Sequence, residues 1–536
     1  MSNRRVWLLI LILLTLLFLL PFAALLSGVF SSSDSWGHLS STVLPRYIGS
    51  SLFLLLFFLF GVYSLGTVTA WIMTRYSFPM KPIFEVALIF PHAVPIYISA
   101  FAYRGLFNYG GLLHPLMPDF SGPWAAVFLF IFGLYTYVYL AARAMLATFG
   151  GQFIDTAIML GKSEWALFRR VALPLMRPAA VGGAVLAGVE VLNEYGALKY
   201  LGVESFTTGI FRAWFSLGDI TAAIRLSLLL LLTVGILLAA EKLQRGKAGF
   251  VSSGRNPSPV VPLKIRGVKG ALITAVLLLP VTFGFFIPLL QLLLWTVDAP
   301  LLQQWTELAV ITADTLVLTL SASFAAVSIA LLLGFIPLLF NGGVTGSLAS
   351  LPSLGYAVPG AVIAMGVMRL SISADLAINH LFNPLISPLR GEPLGLIFSG
   401  SLIVLAGAYL IRFIAVSFKP IASAYTSIGG VYVDSAATMG RGPVHSFFKI
   451  YLPLMKRASL FAGILFFLDA IRTLPLTMIL RPFNYDTLAT VTYELASDER
   501  LKEAAPFGLI LVALGVGVTI ITMMLSKGKR KVIQGA

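Results

Sequence analysis

The chain has 536 residues, of which 58% are hydrophobic and 11% charged, with a net charge of +15 and no cysteine. Soluble domains carry roughly 25% charged residues, so a soluble globular protein is excluded, as are disulfides, thiolate metal sites and cysteine nucleophiles. In so apolar a chain the positive charge reads as basic cytoplasmic loops rather than a surface for nucleic acid.

Arg4 and Arg5 precede the first apolar run, residues 6–26. That run exceeds the roughly 7–15 residues of a signal-peptide core, and no small-x-small cleavage site follows it promptly. It therefore reads as a retained helix. The runs at 51–71 and 271–295 are as long, and each reaches the roughly 20 residues that a bilayer core about 30 Å thick requires. Unbroken Leu, Phe and Val runs are unlike the short alternating strands of a membrane β-barrel. In chain order the pattern predicts an all-α integral membrane protein with about twelve transmembrane helices, near 6–29, 51–73, 82–103, 123–142, 179–200, 219–240, 270–296, 312–340, 350–369, 396–418, 458–480 and 504–525.

Residues 241–270 are basic with a Ser/Pro/Gly-rich middle, which reads as a cytoplasmic linker. It divides the chain into a first repeat (1–240), the linker (241–269) and a second repeat (270–536). Six spans per half bring both halves into the membrane in the same orientation, so the repeats are parallel. Ala93-Val94-Pro95 and Ala357-Val358-Pro359 fall in the third helix of each half. With the N-terminus placed inside, roughly 26 of the 37 Lys and Arg sort to the cytoplasmic side, which places both termini there.

One polar pattern occurs twice. DTAIMLGKSEWALFRRVALP (155–174) and DSAATMGRGPVHSFFKIYLP (434–453) share the steps from Asp155 to Gly161 to Pro174 and from Asp434 to Gly440 to Pro453. The two glycines are 279 residues apart. Each Asp is suited to cap a short helix or sit at its dipole's positive end. Each Gly permits a turn other residues resist, and an amphipathic stretch then leads to a Leu-Pro pair. The pattern describes a knob projecting from the cytoplasmic face. A loop lying on anionic lipid needs no such matched spacing.

This pattern resembles the EAA loop of ABC importer permeases, an acidic-Ala-Ala triplet followed by Gly and an apolar-x-Leu-Pro ending. The second copy supplies Asp434-Ser435-Ala436, Gly440, Ile450 and Leu452-Pro453; the first supplies Asp155-Thr156-Ala157, Gly161, Val171 and Leu173-Pro174. Both copies carry Asp for the usual Glu and a hydroxyl residue for the usual Ala. The resemblance spans the chain and is nearest to fused two-half permeases of Fe(III) importers, with the stretches 201–219 and 480–505 carrying the narrower likeness. It implies that these loops couple to two copies of an ABC ATPase on the cytoplasmic face and that a periplasmic or extracellular binding protein delivers the cargo. It further implies a cytoplasmic (inner) membrane location in a bacterium or archaeon, and ATP and Mg on the partner, with no cofactor held by this chain. Permeases for thiamine, sulfate or polyamines share the loop and remain alternatives. Gly161-Lys162-Ser163 imitates the end of a P-loop, but that motif needs Gly at position 156, which is Thr156. The chain thus reads as a transport subunit and not an enzyme.

Two acids fall inside spans at matched places: Glu190 and Asp469 each lie sixteen residues beyond the Pro of their Leu-Pro. A charge near the bilayer centre costs roughly 2.5–3.5 kcal/mol on insertion scales, so both should face the protein interior or water. Two readings stay open: a cation passage, or ties between helices through Asn193, Glu194 or Arg472. The five His show no metal-ligand spacing. Pro95 and Pro359 are candidate gate kinks, although Pro is also ordinary in membrane helices. A twelve-span secondary transporter is the rival class; it needs its own midplane ion site and no docking loop.

Overall fold

The computed structural model describes residues 2–108, 111, 113–115, 119–245, 259–299, 301–340, 343–390 and 395–533. It is built of helices. The first half contributes Ser2–Gly28, Leu44–Arg75, Gly122–Met159, Leu173–Asn193 and Ile220–Arg245; the second contributes Gly267–Val281 running into Ile287–Val297, then Leu301–Phe335, Gly360–Arg390, Leu402–Ile428, Leu452–Ile471 and Leu501–Ile533. Among the described residues, strands are limited to Tyr76–Ser77 and Leu263–Lys264, which pair in parallel and fasten the end of the linker to the first half. Part of the predicted linker, 246–258, lies outside the described residues.

Among the described residues, ten helices are long and apolar enough to cross a membrane, and eleven if one bent pair counts as a span. About twelve were expected, and the two departures have physical causes. The expected third span is a pair, Lys81–Ala93 and Ile96–Phe107, meeting at 90°. Pro91 and Pro95 lack the amide hydrogens that would carry a helix through Val94. The expected eleventh span is Leu452–Ile471, in which Lys456, Arg457 and Asp469 leave no apolar stretch of full length. Several boundaries also differ, among them two beside the central cavity. The expected fifth span stops at Asn193 before a separate turn of helix, Gly196–Tyr200, and the ninth starts at Gly360 after a 3-10 segment, Leu351–Ala357.

Packing between the halves is reciprocal. The first helix of each half lies across the third helix of the other, and glycine makes room at both crossings. A methyl group added at Gly366 would meet the Pro21 carbonyl, and one added at Gly105 would collide with the Trp295 ring. Small residues at crossings are how membrane helices approach closely where apolar surface alone gives no preference for a helix over lipid. The outward faces stay apolar: Leu9, Leu13, Leu56, Phe60, Val317 and Phe324 are all exposed on spanning helices. Such a surface suits hydrocarbon rather than water.

Candidate functional site

The two repeated segments fold into the same turn. Gly161 and Gly440 have φ of 71° and 72°, the left-handed conformation that ends many helices. In the first copy the Gly161 N–H donates to the Ile158 carbonyl at 2.9 Å and the Lys162 N–H to the Ala157 carbonyl at 3.1 Å. In the second, Gly440 donates to Ala437 at 3.0 Å and Arg441 to Ala436 at 2.8 Å. The small residue of each triplet, Ala157 or Ala436, is buried and supplies the carbonyl that closes the turn. Pro174 and Pro453 sit at the first positions of Leu173–Asn193 and Leu452–Ile471, where a missing amide hydrogen does no harm. Leu173 and Leu452 beside them are half-buried.

Asp434 lies in the first turn of Val431–Thr438, as a dipole argument requires. Asp155 does not cap a helix. It lies in the last turns of the 38-residue helix Gly122–Met159, because no break separates the first triplet from the span before it. In the second copy Gly429, with φ of 75°, makes that break. Both aspartates are exposed.

On either side of each glycine the knob carries apolar side chains into solvent at matched positions. Leu160 and Met439 are 70% and 79% exposed, and Trp165 and Val444 are 67% and 51% exposed. The bases Lys162, Arg169 and Arg441 stand exposed among them. The knobs are anchored differently. In the first, Arg75 grips Glu164 with Nη2 to Oε1 at 2.7 Å and Nε to Oε2 at 3.3 Å, and the Tyr76 hydroxyl donates to Oε2 at 3.1 Å. In the second, the Tyr451 hydroxyl donates to the Gly429 carbonyl at 2.8 Å. The Tyr451 ring packs with Phe335 and Tyr425, and Phe335 in turn with Phe447.

Glu190 and Asp469 line one small central cavity of about 80 Å³, together with His92, Tyr97, Glu194 and Arg412. Both are also tied. Asp469 accepts from Arg472 at 2.7 Å, and Glu190 lies 4.0 Å from Arg412. Cavity-lining and helix-tying are therefore properties of the same residues. The residues three positions after the acids, Asn193 and Arg472, each reach the broken third helix of the opposite half. The Gly360 N–H donates to Asn193 Oδ1 at 2.5 Å, and Arg472 Nη1 donates to the His92 carbonyl at 2.7 Å. Backbone groups released by a break at membrane depth need such partners. Pro95 lines the cavity. Pro359 is not among its lining residues, but its neighbours are held at the same place, Gly360 by Asn193 and the Val358 carbonyl by Arg412.

Larger voids flank the centre. One of about 870 Å³ is lined by Arg104, Lys199, Tyr195, Tyr493 and Glu499. The other, of about 660 Å³, lies nearer the knobs along Gly122–Met159 and is lined by Glu85, Leu140 and Arg143. No group of three His, Cys, Asp or Glu able to hold a metal ion occurs among the described residues. Arg412 and Arg75 were not picked out from the sequence. A lone charge inside the tenth span was the available signal for Arg412; nothing in the pattern marked Arg75.

A bundle of apolar helices, two matching knobs and a small polar cavity at its centre fit a membrane transport subunit. Residues 63–245 match the family described as the binding-protein-dependent transport system inner membrane component, and proteins of that type work with a substrate-binding protein and an ATPase. Over nearly its whole length the chain is similar to an Fe(3+)-transport system permease protein of Haemophilus influenzae, 24% identical across 88% of each chain. It is also similar to sulfate transport system permease proteins of Salmonella typhimurium, 26% identical over 35% of this chain and 70% of the relative, and of Escherichia coli, 32% identical over 25% and 48%.

Proposed function

We propose that this chain is the membrane permease of an ATP-driven importer that accepts Fe(III) from a binding protein and passes it to the cytoplasm. The observation that carries the reading is the pair of knobs: the same glycine turn twice, each tipped with exposed apolar and basic side chains that call for a partner in water. Each knob docks one copy of a separate ATPase, which holds the ATP and Mg; the chain itself binds no cofactor. Knobs and both termini lie in the cytoplasm, and the halves 1–240 and 270–536, joined through 241–269, sit in an inner membrane. Closure of the two ATPase subunits draws the knobs together, and the halves rock to open the passage outward.

Fe(III) is favoured because the relative named for Fe(3+) aligns over 88% of the chain, enough to include both halves. Three carboxylates, Glu190, Glu194 and Asp469, line the centre. Sulfate is the second reading, favoured by the relatives named for it and by Arg412 and Arg472 beside those carboxylates. Reconstitution of the chain in proteoliposomes with its ATPase and binding protein decides between them. Radiolabelled iron is expected to accumulate only with ATP and binding protein, and sulfate not at all. Sulfate accumulation without iron would overturn the assignment.

A further inference from the structure

Two arginines from the second half line the central cavity, and the two are not equivalent. Arg472 and the acid it holds, Asp469, share one half, at 2.7 Å, and Arg472 reaches the first half through the His92 carbonyl and ring. Arg412 reaches across, its partner Glu190 belonging to the first half at 4.0 Å. It also donates to the Val358 carbonyl and lies over the Phe413 ring, both in its own half. Arg412 is almost wholly buried, whereas the Glu190 side chain is 28% exposed. Arg412 Nε, Tyr97 Oη and His92 Nδ1 have no hydrogen-bond partner, and all three residues line the cavity. When the halves separate, Asp469 keeps its arginine and Arg412 keeps its carbonyl, but Glu190 is stripped of its cation.

Resting on the import reading above, we propose that Arg412 is a tethered stand-in for the cargo. It neutralises Glu190 while the passage is closed, and opening exchanges it for a multivalent metal cation. The site for the cation is thus made by the opening movement and is absent from the closed state. This fits a cavity whose lining carries unpartnered polar atoms, with no group of three His, Cys, Asp or Glu able to hold a metal ion among the described residues. A half-buried carboxylate without its partner attracts any cation able to reach it.

The test is passive ion leak in proteoliposomes holding the permease and its ATPase, without ATP or cargo, read with potassium and chloride separately. Wild type and Arg412→Lys should be tight to both. Arg412→Gln should raise potassium leak by about tenfold or more, as expected when a local electrostatic barrier falls, with chloride unchanged. Adding Glu190→Gln to Arg412→Gln should return potassium to the wild-type level, and the insertion and thermal stability of this double variant report folding separately. Arg412→Gln that inserts normally yet stays tight, or that leaks both ions alike, overturns the proposal. If Arg412→Gln does not insert, the double variant decides: a cation-selective leak in it, with Glu190 gone, contradicts the exchange, and tightness to both ions supports it. Because the probe is potassium, failure of iron uptake by the wild type would remove the cargo assignment without touching this result.

Discussion

Replacing both Gly161 and Gly440 with leucine is expected to abolish ATP-coupled uptake while leaving membrane insertion intact. At φ of 71° and 72° a side chain crowds its own backbone, at roughly 1–2 kcal/mol per site. Beyond the glycine's own chain neighbours no atom lies within 4 Å of where either Cβ would stand, so the added Cβ meets no other part of the protein. The bundle is therefore expected to keep its fold, and the damage is confined to the turn and to the surface it presents. Restoring one glycine alone should not restore full uptake, since the two knobs work as a pair. Uptake in proteoliposomes, beside detergent-solubilised yield and thermal stability, checks this. Unchanged uptake would contradict docking through these turns.

The second large effect is expected from Arg75→Ala. Arg75 is 7% exposed and makes two charge-assisted bonds to Glu164. Hydrogen bonds to charged groups contribute about 1.5–3 kcal/mol each, but Glu164 is partly exposed and water replaces part of that. A net loss of about 1–2 kcal/mol follows. It falls on the first knob alone, because the second is held by Tyr451 and its aromatic neighbours. The ATPase should still bind, while ATP hydrolysis stimulated by the loaded binding protein should fall several-fold. Glu164→Gln, which keeps the shape but weakens the bonds, should fall between Arg75→Ala and wild type. Stimulation equal to wild type in Arg75→Ala would show that this ion pair does not transmit the movement.

The membrane-spanning character was legible because burial in lipid writes itself as long apolar runs, and the knobs were legible because a left-handed turn selects glycine. Glu190 and Asp469 could be paired from the repeat alone, since duplication preserves spacing. What could not be read depended on contacts between distant segments. Asp155 looked like a cap because its spacing matches Asp434, yet only the second copy has Gly429 to start a new helix. The prolines of the third span signalled a kink, but its 90° angle and the hold of Arg472 on the His92 carbonyl from the other half depend on packing between distant segments. Arg412 carried a signal, a charge within an apolar span, but neither Glu190 nor the Val358 carbonyl is near it in sequence.

The absence of cysteine permits a direct test of the central claim, that the knobs are where the ATPase attaches. Lys162→Cys and Arg441→Cys each place one thiol beside a turn glycine in a chain with no other. With the ATPase bound, each thiol should be shielded from a membrane-impermeant maleimide and should form a short-span cross-link to the ATPase subunit. Full labelling of both positions in the assembled complex, with no cross-link from either, would contradict the account.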